Sequence, residues 1–96
     1  MTARIGILTL TIECGAARTL KDKRSLIKPF IARCRQAFNV SIAETAHQDS
    51  SRQAEFTLTT ACGDARVIQA DFASFISWSE NHFPELPIID TKLEII

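Results

Sequence analysis

The ten residues RIGILTLTIE (4–13) constrain the fold most, because they alternate and yet are apolar on both faces. Leu8, Leu10 and Ile12 fall on one side of such a strand, and Ile5, Ile7, Thr9 and Thr11 on the other. A strand of this kind belongs in the middle of a sheet. The rest of the chain must therefore supply neighbouring strands and a covering layer.

The next stretch changes period. After the loop CGAART, in which Gly15 is free to take unusual dihedrals, Thr19 is an N-cap and Asp22, three residues on, completes a capping-box pattern. Leu26, Ile27, Phe30, Cys34, Ala37 and Phe38 then recur at helical spacing, which predicts a first helix to about Phe38. Pro29 within it predicts a kink, or a regular helix that begins only near Ser25. Residues 39–46 and 53–61 read as strands joined by the polar turn HQDSSR, with Val40 and Ile42, then Ala54, Phe56 and Leu58, turned inward. Asp64 caps a second helix to His82, with Val67, Ile68, Phe72, Phe75, Ile76 and Ser79 on its inner side. Residues 88–96 form a last strand with Ile89, Leu93 and Ile95 aligned.

The order β-α-β-β-α-β with right-handed crossovers gives an α+β, ferredoxin-like sandwich: one four-stranded antiparallel sheet with two helices on one face, in a single domain over residues 1–96. The other sheet face is left open, carrying Ile5, Ile7, Thr9, Thr11, Thr57 and Thr59, with Ile88 and Lys92 as neighbours. Pairing two such faces, or two edge strands, would make a homodimer.

Charge is distributed unevenly. The chain is formally neutral, but residues 1–39 hold eight basic residues against Glu13 and Asp22, and residues 40–96 hold nine acids against Arg52, Arg66 and Lys92. Arg18, Lys21, Arg24 and Lys28 stand three to four residues apart and share a helical face, which Arg35 continues; Lys23 lies among them. Cations near a helix N-terminus oppose the macrodipole, while the free N–H groups there form a ready anion site. This points to phosphate contacts along structured RNA or a ribosomal surface. Aromatic interleaving for single-strand stacking is absent, since Phe30 and Phe38 belong to the core stripe. The plainer alternative is a solvated helix face.

Other chemistry finds little support. No CxxC, no Cys/His cluster and no dinucleotide or P-loop pattern occurs, so neither a metal nor a cofactor is expected. Cys14, Cys34 and Cys62 are expected as thiols in a reducing cytoplasm, because the chain opens on no signal-peptide pattern and holds no membrane-length apolar run. The Asn39-Val40-Ser41 sequon is then a chance match. The glycine-containing loop before Arg18 resembles in outline the phosphate loop of acylphosphatases. Asn39 would be the candidate for positioning water, but it lies early in its strand, and the glycine-glutamine-glycine loop of those enzymes is missing.

The stretch TLKDKRSLIKPFIARCRQAFNVSIAE, together with HQD, AEFTLT and the final LEII, is similar to the YlxP-like family of small bacterial proteins. The resemblance implies a ferredoxin-like fold without an established activity. It also implies an RNA or ribosomal setting, since such proteins are commonly encoded beside translation-initiation and ribosome-maturation factors. By matching positions, Lys21, Lys23, Arg24, Lys28, Arg33 and Arg35 carry over as the family's basic helix, Asn39 and Glu44 as its strand signature, and Asp49 as its turn. Three departures stand out. Ser50-Ser51 replace an aromatic after Asp49, Pro29 replaces a helix-friendly residue, and Cys14-Gly15-Ala16-Ala17 replace a proline-containing loop.

Overall fold

A computed structural model describes residues 2–96. Its elements run in the order β1 (Arg4–Glu13), α1 (Leu20–Ala37), β2 (Ser41–Ala46), β3 (Gln53–Cys62), α2 (Ala65–His82) and β4 (Ile88–Ile95). The strands form one antiparallel sheet in the order β2-β3-β1-β4, the ferredoxin-like arrangement. The doubly apolar strand β1 is central, as its composition requires. It pairs along its whole length with β3, where Leu8 faces Leu58 and Leu10 faces Phe56.

Leu8, Leu10, Ile12, Ala54, Phe56 and Leu58 are buried beneath the helices. α1 packs over β2, and α2 over β1 and β3. The core is strongly aromatic: Phe30 lies with its ring centroid 5.4 Å from Phe56 and 5.2 Å from Phe83, and Phe38 lies 5.3 Å from Phe75. Burial pushes the Cys34 thiol, on α1's inner face, up to about 12. A side chain on Gly6 would run into Ile68 and Phe72, so the glycine is what lets α2 sit this close to β1.

Both helix starts match the sequence. Thr19 and Asp22 form a complete capping box, and Asp64 Oδ1 accepts from the Arg66 N–H at 2.9 Å. α1 begins at Leu20, not near Ser25, and runs through Pro29 as one element. Ser25 and Pro29 are both exposed, so water can reach the carbonyl that loses its N–H partner. Ala37, expected within the buried stripe, is exposed at the end of α1, and Val67 stands 44% exposed on α2.

β2 starts at Ser41, two residues later than the alternation suggests, which leaves Asn39 outside the strand. The largest difference is in β4. Its pairing with β1 shifts register between Thr11 and Ile12, so that Ile88 comes opposite Ile12. Ile88 therefore packs against the core instead of lying on the open face. Ile89 is displaced to the surface, and Leu93 shares the buried side with Leu8 yet stays exposed, because α2 does not extend over this outer strand. The open face is otherwise as expected: Ile7, Thr9 and Thr11 stand opposite Thr59, Thr57 and Glu55 on one side, and Glu94, Lys92 and Asp90 on the other.

Candidate nucleic-acid interface

The basic helix divides into residues that face solvent and one that does not. Lys23 belongs with the core. It occupies the same helical face as Ile27, Phe30 and Cys34, four, seven and eleven residues further on, and its side chain is 2% exposed. Its ammonium lies 2.8 Å from Glu44 Oε2 and donates to the His47 carbonyl at 2.7 Å. The same carbonyl accepts the Ser50 N–H at 3.0 Å and closes the β2–β3 turn. His47 holds a left-handed φ of 62°, unusual for a non-glycine residue, and the ammonium helps to fix that strained corner.

Lys23 is thus a clamp tying α1 to the hairpin. Its burial removes it from the cations open to an outside partner. A buried ammonium needs a carboxylate and a carbonyl more than it needs solvent. Cys14 is buried close by, and its thiol is raised chiefly by burial, with the Lys23 charge opposing. The Cys14 N–H donates to the Arg52 carbonyl at 2.6 Å, which stitches the loop before α1 to the same hairpin.

The helix N-terminus also differs from expectation. Asp22 Oδ2 accepts the N–H groups of Arg18 at 3.1 Å and Thr19 at 3.2 Å, and Thr19 Oγ1 accepts that of Asp22 at 3.1 Å. The first turn therefore supplies its own anion. It is not an open cradle for a foreign one.

The remaining cations face outward. Arg18, Lys21, Arg24 and Lys28 are exposed, and among the described residues no carboxylate lies within 4.0 Å of any of them. Lys21, Arg24, Lys28 and Arg35 lie within one narrow sector of α1, flanking its buried stripe, over about 21 Å at 1.5 Å per residue. Arg35 is exposed too, but its Nη2 donates to the Ile42 carbonyl on edge strand β2 at 3.2 Å. Arg33 is engaged elsewhere, with its guanidinium over the Phe83 and Trp78 rings at 5.1 and 5.8 Å.

The fold does not bring Asn39 and Asp49 together. They flank opposite ends of β2, a six-residue strand of about 20 Å. Asn39 is exposed past the C-terminal end of α1, where its carbonyl accepts the Thr60 hydroxyl at 3.0 Å. Asp49 is exposed in the turn beside the other end of α1. This separation also dissolves the acylphosphatase-like pairing of Arg18 with Asn39. Arg18 instead shares a polar cleft of about 510 Å³ with Glu13, Gly15, Ala17, Ser51 and Arg52. No group of residues suited to hold a metal ion occurs among the described residues, and no helix is long and apolar enough to cross a membrane.

The Lys23–Glu44 pair was legible in principle. The 23/27/30/34 spacing is the core spacing of α1, and Glu44 lies two residues beyond the inward-facing Ile42. A charged residue on each buried face is the signal that the two meet.

A ferredoxin-like sandwich with an outward basic helix and an internal lysine–glutamate clamp is the class of protein that these features define. The chain belongs to the family described as protein of unknown function DUF503, whose model matches residues 5–93. It is similar to the uncharacterized protein YlxP of Bacillus subtilis strain 168, with 27% identity over 78 residues that cover 81% of this chain and 84% of the relative.

Proposed function

We propose that this protein is a non-enzymatic accessory factor that binds structured RNA, ribosomal RNA included, through the outer face of α1. Arg18, Lys21, Arg24, Lys28 and Arg35 make the contacts, each to a backbone phosphate. One observation carries this reading: Lys21, Arg24 and Lys28 lie along one exposed helical stripe with no carboxylate partner among the described residues. Two acids close to the helix are engaged elsewhere, Asp22 on the cap and Glu44 on Lys23. A row of unneutralised cations gains most from a polyanion, by releasing its counterions.

The test is the salt dependence of binding to an RNA hairpin, followed by fluorescence anisotropy, together with co-sedimentation with ribosomal subunits. The logarithm of affinity should fall with the logarithm of salt with a slope near −3 to −5, roughly one unit per phosphate contacted. Charge reversal at Lys21 and Arg24 together should weaken binding at least about tenfold at low salt, with an unchanged circular dichroism spectrum. Absence of any salt-sensitive affinity for RNA or ribosomal particles would sink the reading.

A further inference from the structure

We propose that β4 is a homodimerisation edge: two copies pair their β4 strands antiparallel, centred on Thr91, to form one continuous eight-stranded sheet. The inference stands apart from RNA binding and rests on four properties of this strand.

The first is an open hydrogen-bonding edge. Ile5 and Ile96 exchange both backbone bonds, each 3.0 Å, across the β1–β4 ladder. Antiparallel pairs alternate between bonded and non-bonded, so Glu94, Lys92 and Asp90 also turn their backbone groups toward β1. The N–H and C=O groups of Thr91, Leu93 and Ile95 then point away from the sheet. β4 is the outermost strand, and no described element pairs with that side.

The second is apolar exposure at the same edge. Ile89 and Leu93 are 49% and 43% exposed, on the strand side that faces α2. Between Ile89 and α2 runs a groove of about 340 Å³ lined by Ile76, Glu80, Ile88, Ile89, Asp90 and Thr91.

The third is charge order. The open-face positions of β4 read Asp90, Lys92, Glu94. Every register centred on a residue keeps like faces together, and centring on Asp90 or Glu94 sets that carboxylate against its own copy. Centring on Lys92 sets Lys92 against the partner's Lys92 and Asp90 against the partner's Glu94, so every charged cross-strand pair repels. Centring on Leu93 pairs Lys92 with the partner's Glu94 but leaves Ile89 uncovered. Centring on Thr91 sets Asp90 against the partner's Lys92 twice, by symmetry. That register also lays Ile89 against the partner's Leu93 twice, at the mouth of the groove. Only the Thr91 register satisfies the charges and covers both exposed side chains, so the partner it fits is a second copy of this chain.

The fourth is geometry. The two-fold axis of such a pairing stands perpendicular to the sheet, so all four helices lie on one side. α1 sits over β2, at the far edge, and stays free in each copy.

The experiment is sedimentation equilibrium over a concentration series. The wild-type chain should dimerise reversibly. Asp90→Lys and Lys92→Glu each turn both attractive pairs into repulsive ones and should weaken self-association roughly tenfold or more. Mixed in equal amounts, the two variants should form the heterodimer, because every cross-strand pair between them again joins opposite charges. Thr91→Pro removes an N–H that points outward and spares the ladder to β1, so it should abolish dimerisation while the circular dichroism spectrum is kept. A wild-type chain that stays monomeric at millimolar concentration would overturn the proposal. So would a dimer indifferent to all three substitutions, which would assign association to the open threonine face.

Discussion

The two edges of the sheet are finished in opposite ways. β2 is short and held from above: Lys23 reaches Glu44 and the His47 carbonyl, and Arg35 donates to the Ile42 carbonyl. β4 is longer, carries exposed Ile89 and Leu93, and lies outside the cover of α2. In this chain of 96 residues the two helices do not blanket the four strands evenly. This one spends the side chains of α1 on sealing β2 and leaves β4 to another means. Exposed strand edges are aggregation hazards unless they are charged, bulged or paired. β4 has both charge and a register shift, in an order that suits pairing with itself.

The sharpest way to break the contrast is at Lys23. Lys23→Ala strands the Glu44 carboxylate beneath α1 and frees the His47 corner. It should cost about 3 kcal/mol in urea unfolding, with a fall in Tm of more than about 10 °C. Lys23→Met combined with Glu44→Leu should recover most of that loss, because removing both charges leaves no orphan. A Lys23→Ala variant as stable as wild type would mean that the clamp holds nothing.

Gly6 tests the other helix. Gly6→Ala drives a methyl group into Ile68 and Phe72 and should lift α2 from β1, at a cost of about 2 kcal/mol measured the same way. The smallest effect is expected at Arg35. Arg35→Ala gives up one part-buried hydrogen bond to an edge carbonyl, so the loss should be about 1 kcal/mol or less. A larger loss there would show that the β2 edge depends on α1 through more than the Lys23 clamp.

Much of this is readable residue by residue. The capping box at Thr19 and Asp22, the cap at Asp64, the central place of β1 and the element order all rest on local chemistry or on period, and local rules suffice for them. The site is legible in part. The outward positions of Lys21, Arg24 and Lys28 come from helical spacing alone. Charge groups Lys23 with them, although the same spacing sets it with Phe30 and Cys34. Its fate depends on Glu44, which the rest of α1, a loop and the start of β2 bring to it from 21 residues away. In β4 the alternation is correct, but burial does not track it. A register shift displaces Ile89, and the position of α2 leaves Leu93 uncovered.

The amino-acid order by itself determined which segments become strands and helices, where the helices start, and which side of α1 carries its cations. Dihedral preferences, caps and periodicity act within a few residues and are written into the chain. Only the tertiary structure decided that one of those cations is internal, that Asn39 and Asp49 lie apart, and that one sheet edge is sealed while the other is open. Burial and partnership are set by what packs against a residue, and the packing partners come from distant parts of the chain.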